Sequence, residues 1–249
     1  MSGKGNGRSR NGAPGSDSQS NGAQSHGPGG SDKAPEGAAA DGGPPDATSG
    51  EVLLRGQPIA GPGPDRGMVF QSYSSYPWLT VLDNVAFGMK LRGVPRAERE
   101  KVARSWIKKV GLEGTEKKYP NQLSGGMRQR VAIARTLAVK PQIILMDEPF
   151  GALDVQTRLG MQNLINELWE EIEGTILFVT HDIAEAVYLA DKIHILSAGP
   201  GTIVEEITID LPLHRTEDLK STARFRELET LVLQKIRHAA RGGNVRITT

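Results

Sequence analysis

At residues 143–149 the chain reads Ile143-Ile144-Leu145-Met146-Asp147-Glu148-Pro149. A short run that is entirely apolar is typical of a parallel β-strand buried on both faces. Ligands of open α/β sheets bind at the carboxyl ends of the strands, and that is where Asp147 and Glu148 follow this run. The stretch therefore predicts a parallel sheet with a candidate site at the end of one of its strands.

Strands and helices alternate on either side of this stretch. Period-two and all-apolar runs predict strands at 51–55, 67–70, 143–146, 175–179, 193–197 and 203–209. Apolar residues at helical spacing predict helices at 80–91, 96–110, 125–139, 154–172, from 182 onward, and 219–238. Alternation of this kind indicates the α/β class with a parallel sheet.

The N-terminal segment has a different composition. Between Met1 and Val52 there is no Val, Ile, Leu, Phe, Trp or Tyr. Such a segment cannot bury enough apolar surface to offset the entropy lost on ordering, so residues 1–48 are predicted to be a disordered tail. One hypothesis is that the residues before about Ala47 come from a shifted reading frame or a wrong start. A natural degenerate protein and a genuine fused tail are the alternatives.

Overall composition excludes several classes of function. Thirty Lys and Arg balance 29 Asp and Glu, for a net charge of +1, so no nucleic-acid partner held by bulk charge is expected. There is no cysteine, which excludes disulfides and cysteine-ligated metals. No apolar run is long enough for a membrane span or a signal peptide, so a membrane role requires a partner.

Four polar features stand in order along the chain. Gln71 follows the strand that ends near Phe70. The segment Leu123-Ser124-Gly125-Gly126-Met127-Arg128-Gln129-Arg130 opens a helix. The carboxylates of the 143–149 stretch come next, with Ala152-Leu153-Asp154 close behind, and His181 ends the strand at 175–179. Taken singly, each feature has a structural explanation, such as the turn after a strand or the cap of a helix. Taken together, they are specific for one kind of site, because they occur in a fixed order and each lies on the expected element.

Each feature suits phosphate chemistry. Asp147 suits a Mg²⁺ ion that neutralises phosphates, and Glu148 suits the polarisation of an attacking water. The Ser124-Gly125-Gly126 helix start offers backbone N–H groups and a helix dipole to a phosphate. His181 can donate a hydrogen bond to a terminal phosphate, and Gln71 can reach the metal or the water.

These motifs resemble those of the ATP-binding subunits of ABC transporters over roughly residues 48–240. In that resemblance 123–130 is the signature, 145–148 the Walker B motif, 152–154 the D-loop, His181 the switch histidine and Gln71 the Q-loop. The implied fold is a RecA-like P-loop NTPase sheet with an inserted helical subdomain at about 73–138. The implied domain is 49–240, with a flexible end at 241–249. Residues 77–85 and 158–169 are most similar to the nitrate, sulfonate and taurine importers.

The resemblance also implies ligands and partners. ATP and Mg²⁺ are the expected cofactors. The residues expected to bind nucleotide are Ser124, Gly125, Gly126, Gln129 and Asp154; those expected at the metal are Asp147 and Gln71; and those expected in catalysis are Glu148, His181 and Gln71. The expected partners are permease subunits received near 73–93, a second ATP-binding subunit and, indirectly, a substrate-binding protein. The expected place is the cytoplasmic face of the membrane, and the solute is left open.

One family motif has no good counterpart. The family's phosphate-binding loop ends in Gly-Lys-Ser/Thr and precedes the Q-loop. The nearest candidate, residues 27–35, has Asp32 where a glycine belongs, Ala34 in place of a hydroxyl, and Pro35 against helix propagation. We therefore expect an incomplete sheet that lacks a strand beside the one at 143–146. Two alternatives to a working ATPase follow: a partner that only donates its signature in a heterodimer, and an inactive fragment.

Overall fold

The computed structural model describes residues 50–59, 61–71, 74–169, 171–172, 174–197, 201–241 and 245–247. The predicted disordered tail and the candidate loop at 27–35 lie outside these residues. The chain divides into two units, 1–61 and 62–249. In the first, strands β1 (Leu53–Leu54) and β2 (Gln57–Pro58) form a short antiparallel pair, where the sequence predicted a single strand over 51–55.

The second unit contains the remaining elements. Its strands are β3 (Arg66–Val69), β4 (Ile143–Asp147), β5 (Thr175–Val179), β6 (Lys192–Ser197), β7 (Ile203–Thr208) and β8 (Val245–Ile247). Its helices are α1 (Val81–Leu91), α2 (Arg96–Lys109), α3 (Gly125–Leu137), α4 (Val155–Trp169), α5 (Ile183–Leu189) and α6 (Ala223–Arg241). Two 3₁₀ turns lie at Pro120–Gln122 and Glu217–Ser221. The α/β class is confirmed; the division into a domain at 49–240 and a flexible end stays a prediction.

A parallel sheet in the order β3-β4-β5 positions the site. Met146 of β4 lies opposite Val69 of β3 and Phe178 of β5. The expectation that a missing strand lies beside β4 is therefore wrong, because β4 already has a hydrogen-bonded neighbour on each side. Among the described residues, only the outer edges of β3 and β5 could accept another parallel strand.

Burial differs sharply between two neighbouring strands. In β4, Ile144 is 0% and Met146 1% exposed, as its apolar sequence predicted. In β5, Leu177 is 45% exposed and, of its five residues, only Phe178 is buried. The apolar run at 175–179 thus forms the strand that it predicts, but a strand less buried than its composition suggests, because no described strand lies along its outer edge.

A second sheet and core lie farther along the chain. β6 pairs antiparallel with β7 on one side and with β8 on the other, the latter only over Ile195–Ser197. Helices α5 and α6 pack on this sheet and bury Tyr188, Phe225 and Leu228. None of the helices in the described part of the chain is both long enough and apolar enough to cross a membrane.

Local capping decides where several helices begin. Thr80 Oγ1 accepts from the Asp83 N–H at 3.1 Å, so α1 begins one residue later than predicted. The predicted helix over 219–238 is divided, because Thr222 adopts an extended conformation with ψ 154°. The Thr222 hydroxyl then accepts from the Phe225 N–H at 3.3 Å and starts α6.

Candidate functional site

The carboxylate of Glu148 is held from two sides at the end of β4. Gln71, two residues past β3, donates from Nε2 to Glu148 Oε2 at 3.1 Å. His181, two residues past β5, has Nδ1 at 3.1 Å from Glu148 Oε1. The three side chains thus come from the carboxyl ends of three adjacent parallel strands, the edge where ligands of such sheets bind.

The backbone at Glu148 is unusual. Its φ is +39°, in a region that side-chain-bearing residues rarely adopt and that costs about 1–3 kcal/mol. The Glu148 N–H donates to the Val179 carbonyl of β5 at 2.8 Å, which fixes this conformation. The Glu148 side chain is 31% exposed and that of His181 72%, so both can reach a ligand in solvent. A carboxylate held in this way can accept a proton from water, and the imidazole can donate one hydrogen bond.

Gly151 also borders this site, and the sequence analysis did not single it out. A Cβ at this position would lie 3.6 Å from Glu148 Oε2 and 3.7 Å from Gln71 Nε2. The Gly151 N–H donates to the Glu148 carbonyl at 3.1 Å, which closes the turn after β4. The signal that could have found it is the glycine two residues after Pro149, since proline and glycine mark tight turns.

Asp147, the last residue of β4, is exposed at the same edge. Within the described ranges no group of three or more His, Asp or Glu side chains is placed to hold a metal ion. Mg²⁺ commonly keeps its waters and binds one or two carboxylates together with substrate phosphates. Asp147 therefore fits a metal that arrives with a nucleotide, and does not fit a site for a free ion.

The signature residues lie at the start of α3. Ser124 is exposed and caps the helix, its hydroxyl accepting from the Met127 N–H at 3.3 Å. Gly126 is buried, and a Cβ there would lie 2.4 Å from Thr157 Cγ2 on α4. Close packing of α3 on α4 is thus sufficient to require glycine at 126, whereas Ser124 and half-buried Gly125 are accessible to a ligand.

Gln129 stands apart from the other signature residues. Its side chain is fully buried, and neither amide atom has a hydrogen-bond partner among the described residues. A buried amide without hydrogen-bond partners lowers the stability of the folded state. The Gln129 side chain is enclosed by the core around α3, with no contact to solvent. Its predicted contact with nucleotide stays a prediction, as do the roles of the other site residues.

Asp154 and Asp182 cap the helices that follow β4 and β5. The Thr157 N–H donates to Asp154 Oδ1 at 3.1 Å, and hydrogen bonds from the side chain and backbone of Thr157 lower the pKa of Asp154. The Glu185 N–H donates to Asp182 Oδ1 at 3.1 Å. Arg158, which the sequence analysis did not select, has Nη1 at 3.6 Å from Asp182 Oδ2 and so links the two helix starts.

Comparison with known proteins identifies the family. Residues 42–151 match the model of the ABC transporter family. An uncharacterized ABC transporter ATP-binding protein of Methanocaldococcus jannaschii is 57% identical over 171 residues, 68% of this chain and 64% of the relative. The nitrate import ATP-binding protein of Synechocystis is 52% identical over 165 residues, 66% of this chain and 62% of the relative. This chain thus spans somewhat less than two thirds of the length of these two relatives.

Two relatives that match over a larger share of their own length belong to the same family. The taurine import ATP-binding protein of Escherichia coli is 46% identical over 192 residues, 75% of each protein. A dimeric ATP-binding cassette solved in a post-hydrolysis state with ADP and Pi is 36% identical, with a TM-score of 0.55 over 66% of this chain and 75% of that one. On the strength of the taurine relative, the solved cassette and the order of its motifs, this chain belongs to the family of ABC transporter ATP-binding proteins.

Proposed function

We propose that this protein is the ATP-binding subunit of an ABC importer and couples ATP hydrolysis to the import of a small anion such as nitrate, a sulfonate or taurine. The observation that carries the proposal is the carboxylate of Glu148, held by Gln71 at 3.1 Å and facing His181 at 3.1 Å. The choice of solute class rests on similarity to the nitrate and taurine import proteins.

The residues divide the chemistry among them. Glu148 orients and deprotonates the attacking water, and Gln71 holds the carboxylate in position for this. His181 donates a hydrogen bond to the terminal phosphate, which it can reach because its side chain is 72% exposed. When bound with ATP, Mg²⁺ neutralises phosphate charge, and Asp147 and Gln71 are the residues that would hold it. Ser124 and Gly125, together with Asp154, face the nucleotide bound by a second subunit, and Gly126 packs α3 closely against α4 behind them.

We further propose that the phosphate-binding loop is not among these 249 residues. Gly-Lys occurs once, at Gly3-Lys4, and Gly5 follows it where a Ser or Thr would be needed. The family match begins at residue 42, after the candidate at 27–35. Without the loop's N–H groups and lysine, the β- and γ-phosphates lose most of their ligands. The isolated chain is therefore expected to bind and hydrolyse ATP very weakly.

The partners follow from the same proposal. The protein would pair with a second ATP-binding subunit and sit at the cytoplasmic face of the membrane through permease subunits. A substrate-binding protein would act on the same transporter without touching this chain. The Tyr76, Trp78 and Phe87 rings pack together at 4.5–5.6 Å between centroids, and Trp78 is 70% exposed. This surface is our candidate for the permease contact.

A chimera tests the hydrolytic assignment. Residues 1–49 would be replaced by the segment of the E. coli taurine import protein that precedes its match to this chain. We expect the unmodified chain to show background Mg-ATPase that Glu148→Gln leaves unchanged, and the chimera to gain activity that Glu148→Gln lowers about 10²–10⁴-fold. An unmodified chain with substantial turnover sensitive to Glu148→Gln would contradict the missing loop. A folded chimera whose ATPase activity is unchanged by Glu148→Gln would contradict the assignment of Glu148 to water activation.

A second candidate function is favoured by one observation: the signature helix is well formed, with Ser124 capping α3 and exposed. The chain could then donate its signature to an intact subunit without hydrolysing ATP at its own site. Mixing with the intact taurine relative distinguishes the two. In the donor case the mixture turns over faster than its parts, Ser124→Arg in this chain removes the gain, and Glu148→Gln leaves it. A gain that survives Ser124→Arg would contradict the donor function.

A further inference from the structure

Charge is distributed unevenly along this chain. Residues 90–118, which include the end of α1, all of α2 and the loop after it, contain ten Lys and Arg, four Glu and no Asp. The rest of the chain has the opposite sign, with 20 Lys and Arg against 25 Asp and Glu. A strongly basic segment in an otherwise acidic chain indicates that this segment meets an anionic partner.

Three of these cations lie on one face of α2. Lys101, Arg104 and Lys108 are separated by three and four residues, which places them in one row along the helix, and all three are exposed. The opposite face of α2 is in the core, where Trp106 is 9% and Ile107 0% exposed. The row of cations is therefore presented to solvent by a helix whose orientation is fixed by packing.

Two more cations, Lys117 and Lys118, are exposed in the loop after α2. Arg104 lies close to this loop. Hydrogen bonds from its own backbone N–H and from that of Gly114 lower the pKa of Glu116, and the charge of Arg104 lowers it further. We call these five residues the basic surface: Lys101, Arg104, Lys108, Lys117 and Lys118. None of the five forms an ion pair with an acidic side chain in the described part of the chain.

The charged residues around the basic surface already have partners. Arg96 pairs with Glu100 at 2.7 Å, and Lys109 pairs with Glu171. Glu116 is half-buried, and its carboxylate accepts from a backbone N–H at 3.2 Å. The five cations of the basic surface therefore remain available to a ligand that carries several negative charges.

The basic surface borders the candidate permease contact. The Val81 N–H donates to the Lys118 carbonyl at 2.8 Å, and the Leu82 N–H donates to the Glu116 carbonyl at 3.0 Å, so the loop is fixed beside the first turn of α1. Trp78, which is 70% exposed, lies three residues before α1 begins. Exposed Trp is typical of membrane–water interfaces, and groups of four to eight Lys and Arg are typical of surfaces that bind anionic lipids.

We propose that the basic surface binds the anionic phospholipid headgroups of the membrane beside the permease. The inference rests on the proposed function in one respect, that a permease brings this side of the protein to the membrane. That position favours a lipid surface over a nucleic acid as the anionic partner. The attraction acts between opposite charges across an exposed helix face, so it requires no pocket and weakens as salt is added.

Vesicle binding tests this with the full-length chain in the absence of nucleotide. The chain would be cosedimented with vesicles of phosphatidylcholine alone and with vesicles that contain about 30% phosphatidylglycerol. At about 50 mM salt we expect binding to the anionic vesicles to be at least about tenfold stronger, and about 500 mM salt should remove the preference. Equal binding to the two kinds of vesicle would overturn the inference.

Two matched pairs of substitutions locate the binding surface. Lys101→Glu with Lys108→Glu changes the row on α2, whereas Arg226→Glu with Arg237→Glu changes exposed residues of α6, and each pair lowers the net charge by the same amount. We expect the α2 pair to weaken binding to anionic vesicles at least about tenfold and the α6 pair less than about twofold. Equal losses would show that net charge alone governs binding and would overturn the inference.

Two further measurements keep the outcomes separate. A single-stranded oligonucleotide of about 20 thymidines is the competing probe, and tighter binding to it per phosphate than to the anionic vesicles would overturn the inference in favour of a nucleic acid. Thermal melts check that each variant is folded, and Lys101→Gln with Lys108→Gln replaces the α2 pair if it is not.

The inference and the proposed function fail in different measurements. Loss of vesicle binding alongside ATP turnover of the chimera that depends on Glu148 would contradict only the lipid surface. Vesicle binding that depends on Lys101 and Lys108, alongside a chimera without such turnover, would contradict only the hydrolytic assignment.

Discussion

β4 and β5 are adjacent strands of five residues each, both mostly apolar, and yet they differ in almost every physical respect. β4 has a strand on each side and its Ile144 and Met146 are at most 1% exposed. β5 has one described neighbour and leaves Leu177 45% exposed. The difference teaches that an apolar run predicts a strand, whereas its burial depends on partners elsewhere in the sequence or outside it.

The largest expected effect is a contrast between matched truncations in the two strands. Ile144→Ala should lower the free energy of unfolding by about 2–5 kcal/mol, because it leaves a cavity in a closed core. Leu177→Ala should lower it by less than about 1 kcal/mol, because the side chain is already half in water. Urea unfolding of both variants measures the difference, and equal losses would show that the Leu177 side chain is covered in solution as fully as that of Ile144.

The sequence was sufficient to predict β4 and the site residues at the strand ends, but not the difference in burial between β4 and β5. β4 followed from four consecutive apolar residues, and the grouping of Gln71, Glu148 and His181 followed from their places after three strands. These are local or periodic signals. The open edge of β5 was not predictable, because Thr175–Val179 has the composition of a strand buried on both faces. The position of a missing strand depends on strand order, a property of the tertiary fold.

Two further features had no usable signal in the sequence. The glycine at 126 suggested a phosphate cradle, whereas contact with Thr157 is sufficient to explain it. The helix over 219–238 was divided at Thr222 because a hydroxyl that caps the next helix competes with helix propagation. In both places a tertiary or side-chain contact decided between structures that local propensity allowed.

Crowding on the β3–β4 side gives the second prediction. A Cβ on Gly67 of β3 would lie 2.4 Å from Thr136 Cγ2 on α3, so Gly67→Ala should cost about 1–3 kcal/mol of stability. Thr136→Ser removes that methyl group, keeps a hydroxyl for the Ala132 carbonyl, and should recover most of the loss. Urea unfolding of both single variants and the double variant measures this coupling.

Gly160 in α4 is the matched control for a glycine without crowding. The nearest atom to its added Cβ is Arg130 Nη2 at 3.7 Å, an ordinary contact. Gly160→Ala should therefore stabilise the protein by about 0.5–1 kcal/mol through helix propensity. If Gly67→Ala did not lower the free energy of unfolding either, the space between β3 and α3 would be less tightly packed than the distances indicate. The contrast between the closed side of the sheet at β3 and β4 and the open edge of β5 would then be weaker.

The third prediction concerns the loop after β5. Asp182 caps α5 by accepting from the Glu185 N–H at 3.1 Å, and α5 has only seven residues. Asp182→Ala should cost about 1 kcal/mol, whereas Asp182→Asn should retain most of the cap. Thermal melts of the two variants at neutral pH distinguish them. Equal losses would assign the effect to charge, through Arg158 at 3.6 Å, and not to the cap.

The smallest expected effect concerns the corresponding cap after β4. Hydrogen bonds from Thr157 lower the pKa of Asp154 below its ordinary 3.8, so the folded state favours the charged carboxylate. The resulting stability is complete above that ordinary value and is lost as pH falls through the lower folded pKa. Asp154→Asn keeps a cap without the charge. Its melting temperature should therefore lie slightly below that of the unmodified chain at pH 7, and the two should converge in acid.

Glu229 provides a control of opposite sign, because burial raises the pKa of its carboxyl above the ordinary 4.5. The folded state then favours the neutral form, so the charged form lowers stability once pH exceeds the unfolded value. Glu229→Gln should accordingly raise the melting temperature at pH 7 and have little effect in acid. If both variants shifted in the same direction at pH 7, a general change in net charge would explain them. The hydrogen bonds of Asp154 in the loop after β4 would then contribute no measurable stability. The loops after β4 and β5 would differ only in that β4 has a strand on each side whereas β5 has one described neighbour.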